Sequence, residues 1–367
     1  MSESILQLWS TENVKLIIDT NSTSPQLARF ASKLNYDVSI ISSDTSNRCE
    51  LKLLKPNPTY NLMIEPIQPL RDNLDSIVYS QFHKDFVKYE QYKRAIELAL
   101  TDLDGTADIL NILIVGPGEG GIVDKLIDIL KIMSLKVKIT AYEKNPKCTQ
   151  ILKDKNRSLW DNLVDIKIED IRTSNLERQD LVISELLGSF GDNEACPEIL
   201  SFFNIPENRP KIMIPESYTS YLQPVFTSLD PPSLQRPYLV HLTKFYPIDE
   251  PQEVWTFEHP SDSSSAQRST NLKFRNTNIA KCISGFYGHF SATLYGHIQI
   301  QIESKSRYNF CNSWYPIFFP VSKTDLARDE VFNFEIARYS NSDQLWYEWN
   351  FKDKTYNKNG NTYVIDL

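Results

Sequence analysis

Residues 111–121, NILIVGPGEGG, constrain the fold more than any other stretch. The apolar run ILIV is strand-sized, ends in glycines at 116, 118 and 120, and opens into IVDKLIDILKIM, whose apolar residues recur at helical spacing. VKITAYE then alternates as a strand and stops at Glu143, where Asn145 and Pro146 read as N-cap and first residue of another helix. LVDIKIED, closing on Asp170, and DLVISE, closing on Glu185, supply two more strands. Strands alternating with helices predict a mostly parallel, doubly wound sheet. Ahead of it, DFVKYEQYKRAIELAL places Phe86, Tyr89, Ile96 and Leu100 on one helical stripe.

The flanks differ in character. Residues 14–43 read strand, helix, strand (VKLIIDT, SPQLARFASKL, DVSIISS), a βαβ-like unit too small to bury both faces, hence an appendage or a remnant of something larger. Prolines 56, 58, 66 and 69 then mark a linker. From residue 216 onward, aromatic and β-branched runs are split by Pro, Gly, Asn and Ser, the pattern of an all-β sandwich or barrel. The serine-rich segment 261–270 reads as a solvated loop. Three domains are expected, over 1–58, 59–215 and 216–367, and 367 residues hold enough chain for them.

Charge and composition narrow the function. A net charge of −8 argues against a general nucleic-acid binder and permits a basic ligand. Five scattered cysteines without a CxxC pair read as reduced thiols in an intracellular protein, and five unclustered histidines give a metal site little support. No apolar run reaches the roughly 18 residues of a membrane span, and the N-terminus lacks the pattern of a signal peptide.

Glycine lets a backbone approach a ligand closely, and a helix N-terminus offers free N–H donors. Gly116, Gly118 and Gly120 follow a G-x-G-x-G spacing, not that of dinucleotide binders. Glu143 is placed to accept two ribose hydroxyls, and Asp170 to meet an adenine amino group. A ligand-free turn with solvated acids is the plainer reading of any one of these residues. Polar groups at successive strand C-termini are where open α/β sheets bind ligands. An acidic rim without a P-loop lysine favours a cofactor lacking a pyrophosphate, and S-adenosylmethionine fits.

SELLGSFGDNE (184–194) adds a pair of acids at the same edge, Glu185 and Glu194. Carboxylates held close repel unless a cation lies between them. A guanidinium's planar fork matches two carboxylates, and a charge contact at ~4 Å contributes on the order of 4 kcal/mol at an effective dielectric of about 20, before desolvation. For either acid alone, a capping or solvated role is the plainer reading.

This loop resembles the double-E loop of protein arginine methyltransferases, in the form of the type II, symmetric-dimethylating branch. Residues 66–96, AYEKNP (141–146), IPESYTSYL (214–222), GFYGHFSATLY (285–295) and NSDQLWYEW (341–349) extend the resemblance over roughly 59–367. It implies a Rossmann-like S-adenosylmethionine domain followed by a β-barrel substrate domain, with the N-terminal block similar to the last strands of the TIM barrel of longer members.

Residue by residue, the resemblance makes Glu185 and Glu194 the substrate clamp and puts Tyr79, Lys88 and Tyr89 at the methionine end of the cofactor, with Lys88 as its carboxylate's cation. Gly116, Gly118, Glu143, Asp170 and Ile171 complete the cofactor set. Phe82 is the residue that marks symmetric dimethylation, and Trp314 stacks on the arginine opposite it. The expected reaction is in-line methyl transfer to a guanidino nitrogen, with one glutamate taking the proton late. Expected substrates are arginine-rich proteins, either histone tails or Gly-Arg-rich RNA-binding proteins, in cytoplasm or nucleus, with no direct nucleic-acid or membrane contact and a homodimer left open. With most of the barrel missing from the resemblance, the WD-repeat partner of longer members is not carried over. Two positions depart from the family: Ile171 stands in place of a methionine, and Glu119 in place of a basic residue, either weakening cofactor binding or pairing with Lys88. That second departure and the missing barrel keep a rival reading, a catalytically weak scaffold for arginine-rich tails.

Overall fold

The computed structural model describes residues 62–242, 244–263, 265–277, 282–303 and 309–367, together with the backbone of three short N-terminal strands. Those strands, β1 (Leu16–Asp19), β2 (Val38–Ser42) and β3 (Arg48–Leu53), form a sheet in which β3 pairs antiparallel with both others. The strand β3 was not anticipated. The helix expected over 24–34 lies outside the described residues.

Leu62–Ile64 (β4) is drawn from the expected linker. It pairs antiparallel with Tyr238–His241, so the approach to the first large domain is sewn into the second. Helix α1 (Ser76–Phe82) and the long helix α2 (Phe86–Leu103) follow. The α2 stripe buries Tyr89, Tyr92, Ala95, Ile96, Ala99 and Leu100, but Phe86 is 71% exposed. Phe86 is the first residue of the helix, one turn short of where the stripe meets the core.

The predicted parallel sheet is present, with strands β5 (Leu110–Val115), β6 (Val137–Tyr142), β7 (Val164–Lys167), β8 (Leu181–Ser184) and β9 (Ile212–Ile214). Its order is β7-β6-β5-β8-β9, every pair parallel. Helices α3 (Gly121–Leu130) and α4 (Thr149–Ser158) cross between its first strands. The chain steps outward from β5 through β6 to β7, then returns to the other side of β5 as β8. The crevice beyond the β5 and β8 C-termini is therefore a topological switch point, the usual place for a ligand.

The C-terminal part is barrel-like and built from two antiparallel sheets. One is centred on β10 (Ser217–Phe226) and the long strand Cys282–Tyr295, and the other on Val331–Ser340 and Gln344–Phe351. Phe286 of the first sheet stacks on Phe334 of the second at 3.6 Å, and Phe319 meets Trp349 edge-on at 5.4 Å. The serine-rich loop is shorter than expected. Arg268–Arg275 is a strand paired with Val331–Ser340, because Leu272 and Phe274 alternate inward and pull Arg268, Ser269 and Thr270 into register. One hydrophobic core runs through both large parts. Among the described residues, no helix is long and apolar enough to cross a membrane, and no His, Cys, Asp or Glu cluster could hold a metal ion.

Candidate active site

Sheet register aligns the edge groups. Gly116 N–H donates to Tyr142 O, Glu143 N–H to Lys167 O, and Glu185 N–H to Val115 O, so glycine turn and acids stand side by side. They line a cleft enclosing about 1360 Å³, its open mouth included. All twelve residues expected at a site border this one cleft: Tyr79, Phe82, Lys88, Tyr89, Gly116, Gly118, Glu143, Asp170, Ile171, Glu185, Glu194 and Trp314.

The glycine turn needs its glycines. Gly118 has φ +56°, and a Cβ there would stand 2.7 Å from the Tyr79 ring. Gly118 N–H donates to Glu143 Oε2 at 2.8 Å, and Asn145 N–H to Oε1 at 2.7 Å. The Glu143 carboxylate is thus fixed in orientation while each oxygen keeps a lone pair for another donor. Burial raises its pKa, an effect the two N–H donors oppose. Asp170 sits past the end of β7 rather than on it, capping a short 3-10 turn. Burial would raise its pKa, but Arg172, which contacts it at 2.7 Å, holds the carboxyl below its usual range.

The acid loop is rigid for identifiable reasons. Gly188 and Gly191 bond to one another, and Asn193 Oδ1 accepts from Phe190 N–H at 2.6 Å. A Cβ on Gly188 would fall 2.5 Å from that same Oδ1. Phe190 is wedged among Trp255, Phe319 and Tyr347, a burial contributing about 1.5–3 kcal/mol. Asp192, fully buried, contacts Arg338 Nε at 2.5 Å and accepts from Tyr347 Oη at 3.0 Å. Arg338 also grips Glu198 through both terminal nitrogens at 2.7 Å. Glu194 is held between these two anchored acids.

Lys88 carries the cation at the centre of the cleft. Its Nζ is 2.5 Å from Glu185 Oε1 and lies over the rings of Tyr89 (4.7 Å), Trp314 (5.0 Å) and Phe82 (5.1 Å). Lys88 therefore pairs with Glu185 and not with Glu119, which also lines the cleft. Glu194 has no hydrogen bond or ion pair among the described residues. Burial pushes its carboxyl up to about 8, with Lys88 lowering it and Glu185 raising it. The ensemble is an acid pair facing a cage of aromatic faces, which suits a planar or compact cation.

Sequence reasoning missed Asp85, Asp192, Arg338 and His83. Asp85 caps α2 by accepting Lys88 N–H, and its other oxygen accepts from Asn312 and Ser313 N–H, tying the Lys88 turn to the Trp314 loop. An aspartate three residues before Lys88 signals the cap, but nothing local signals a partner 227 positions away. His83 lines the cleft beside Tyr89, and burial pushes its imidazole pKa down.

Two family models divide the chain: one described as PRMT5 arginine-N-methyltransferase matches residues 52–214, and one described as PRMT5 oligomerisation domain matches 215–366. The chain belongs to the PRMT5 family. It is 35% identical to protein arginine N-methyltransferase 5 of Oryza sativa subsp. indica, across 82% of this chain and 50% of that one. The Xenopus laevis protein of that name is 32% identical, with 82% and 52% covered, and skb1 of Schizosaccharomyces pombe 34%, with 77% and 49%. The chain thus spans about half the length of the PRMT5 relatives it matches. In fold it resembles the Trypanosoma brucei PRMT1 enzyme-prozyme heterotetrameric complex with AdoHcy, at TM-score 0.61 and 11% identity, over 76% of this chain and 97% of that one. Within the PRMT5 match, glycine turn and acid pair fall in the first segment, Trp314 and Arg338 in the second.

Proposed function

We propose that this chain is a protein arginine N-methyltransferase that uses S-adenosyl-L-methionine and forms monomethyl and symmetric dimethylarginine on arginine-rich proteins. The observation that carries the reading is the cation seat: Glu185 and three aromatic rings already hold a positive charge, beside a second acid that has no hydrogen bond or ion pair among the described residues.

The glycine turn and Glu143 fit the adenosyl group. Gly116 and Gly118 bring bare backbone to the cleft wall, packed too closely against Leu186 and Tyr79 for a side chain, and Glu143 keeps lone pairs for two ribose hydroxyls. Tyr79, Lys88 and Tyr89 would border the methionine end, and Asp170 and Ile171 the adenine, with Asp170 shared between Arg172 and the ligand. When bound, this cofactor supplies a methyl group on a sulfonium. Glu185 and Glu194 would hold the guanidinium's positive charge on its far side, leaving electron density on the attacking nitrogen. Glu194, the acid of raised pKa, is the one suited to receive the proton. Phe82 and Trp314 would fix the plane of the guanidinium, so catalysis is mostly positioning.

Oligomerisation through 215–366 and a cytoplasmic or nuclear location complete the proposal. The test is methyl transfer to a Gly-Arg-rich peptide with mass and fragmentation readout. A scaffold reading stays in view because Lys88 fills the seat. Calorimetry with S-adenosylhomocysteine separates the two, since an enzyme must bind it.

A further inference from the structure

We propose that Lys88 is a resident placeholder in the arginine seat, and that an arginine is admitted only once Lys88 has been drawn out by the carboxylate of the bound cofactor. The inference rests on the methyltransferase reading and concerns the order in which that site fills.

The geometry is that of an occupied cation site. Lys88 is 1% exposed, its ammonium touches Glu185 at 2.5 Å, and three ring centroids lie within 5.1 Å. Those groups, Glu185, Phe82 and Trp314, are the ones the proposed function assigns to a substrate guanidinium. Two cations cannot share one carboxylate and one cage, because their repulsion in a partly desolvated site is not screened. Arginine entry and Lys88 occupancy are mutually exclusive.

Lys88 is built to leave. Its backbone is pinned in the first turn of α2, where Asp85 Oδ1 accepts its N–H at 3.2 Å. The four-carbon stem beyond is flexible, with a single compact charge at its tip. The ammonium satisfies only one half of the acid pair, since Glu194 stays without a partner among the described residues. A guanidinium, with five donors in a planar fork, reaches both acids. The exchange therefore gains a second charged contact, provided Lys88 has another anion to meet. The same cleft offers the place: Tyr79, Tyr89 and Gly118 line it beside Lys88, at the end where an amino-acid carboxylate would lie. Glu119 and Glu143 line the same cleft, and their negative charge favours a cation beside any carboxylate that enters it. The predicted order is cofactor first, arginine second.

The test is equilibrium binding of a dye-labelled Gly-Arg-rich peptide to the full chain, read by anisotropy without turnover. S-adenosylhomocysteine carries the amino-acid carboxylate, and methylthioadenosine is the corresponding nucleoside thioether without it. The expected result is peptide binding about tenfold tighter with saturating S-adenosylhomocysteine, and no gain with saturating methylthioadenosine. In Lys88→Met and Lys88→Gln, peptide binding without cofactor should tighten by about tenfold and lose its dependence on S-adenosylhomocysteine. Equal wild-type binding with and without S-adenosylhomocysteine, or an equal gain from methylthioadenosine, overturns the placeholder, as does a folded variant whose cofactor-free binding does not tighten. If the wild type methylates the peptide yet shows no such dependence, only the placeholder fails. If it neither binds nor methylates the peptide, the methyltransferase reading fails as well.

Discussion

Arg338 Nε stands 2.5 Å from Asp192 Oδ2, and neither side chain is exposed to solvent. A strand of the second sheet thereby holds the loop that presents Glu194. The same guanidinium binds Glu198, four residues beyond Glu194, so the segment carrying Glu194 is fixed on both flanks from the β domain. Removing one member of such a buried pair leaves the other charge uncompensated. Arg338→Met should cost about 3–5 kcal/mol in urea unfolding. At temperatures where the variant is folded, affinity for S-adenosylhomocysteine should be retained while kcat falls. A variant with wild-type kcat would detach Arg338 from the positioning of Glu194.

Glu143 should govern cofactor affinity. Its loss removes a charged acceptor for ribose hydroxyls and leaves Gly118 N–H and Asn145 N–H without theirs. Glu143→Ala should weaken S-adenosylhomocysteine by about 2–4 kcal/mol, since each hydrogen bond to a charged group contributes about 1.5–3 kcal/mol. Calorimetric titration measures this, and an unchanged affinity removes Glu143 from the site.

Glu194 should leave a mark on the pH dependence of both stability and rate. Burial raises its carboxyl from an ordinary 4.5 to about 8 in the native state. Between those values the native protein keeps a proton that the unfolded chain has lost, so this group's contribution to stability declines as pH rises through the window. Glu194→Gln should flatten that decline, seen in urea midpoints taken from pH 5 to about pH 9. For the wild type, kcat/KM should climb with pH toward a plateau above about 8, because the free enzyme must ionise this acid to receive a guanidinium.

The parts legible in the sequence were those written in local patterns. Strands β5 and β6, the glycine turn and the Asn145 cap could be read because apolar runs, positive-φ turns and capping residues leave short-range signals. The twelve cleft residues came from strand ends together with family resemblance, and one cleft gathers them. What could not be read depends on distant partners. Asp85 reaches Asn312, Arg338 reaches Asp192, and Ile64 pairs with Leu239, each across well over a hundred residues. No periodicity encodes such contacts. Lys88 was expected at the cofactor's carboxylate, and its ammonium meets Glu185 at 2.5 Å, a pairing that no local pattern encodes. Phe86 continued the apolar stripe on paper, yet the core begins one turn further along the helix.

Phe82 should control product symmetry. Its ring lies 5.1 Å from the Lys88 ammonium, and on the proposed reading it would restrict which terminal nitrogen of a monomethylated arginine faces the methyl donor. Phe82→Met places a flexible side chain of similar bulk there. The variant should stay active and form some asymmetric dimethylarginine beside the symmetric isomer, distinguished by fragmentation mass spectrometry. An unchanged product pattern would take this role from Phe82.

The most direct test of the acid clamp compares Glu185→Gln with wild type in single-turnover methyl transfer to a Gly-Arg-rich peptide, with S-adenosylhomocysteine binding measured on the same preparations. The account predicts that the wild type methylates arginine and that the variant binds the nucleoside yet transfers methyl at least about 10²–10³-fold more slowly, the scale for losing one electrostatic group aimed at the reacting centre. A variant that keeps most of the wild-type rate, or a wild type that binds the nucleoside and methylates no arginine, would contradict it.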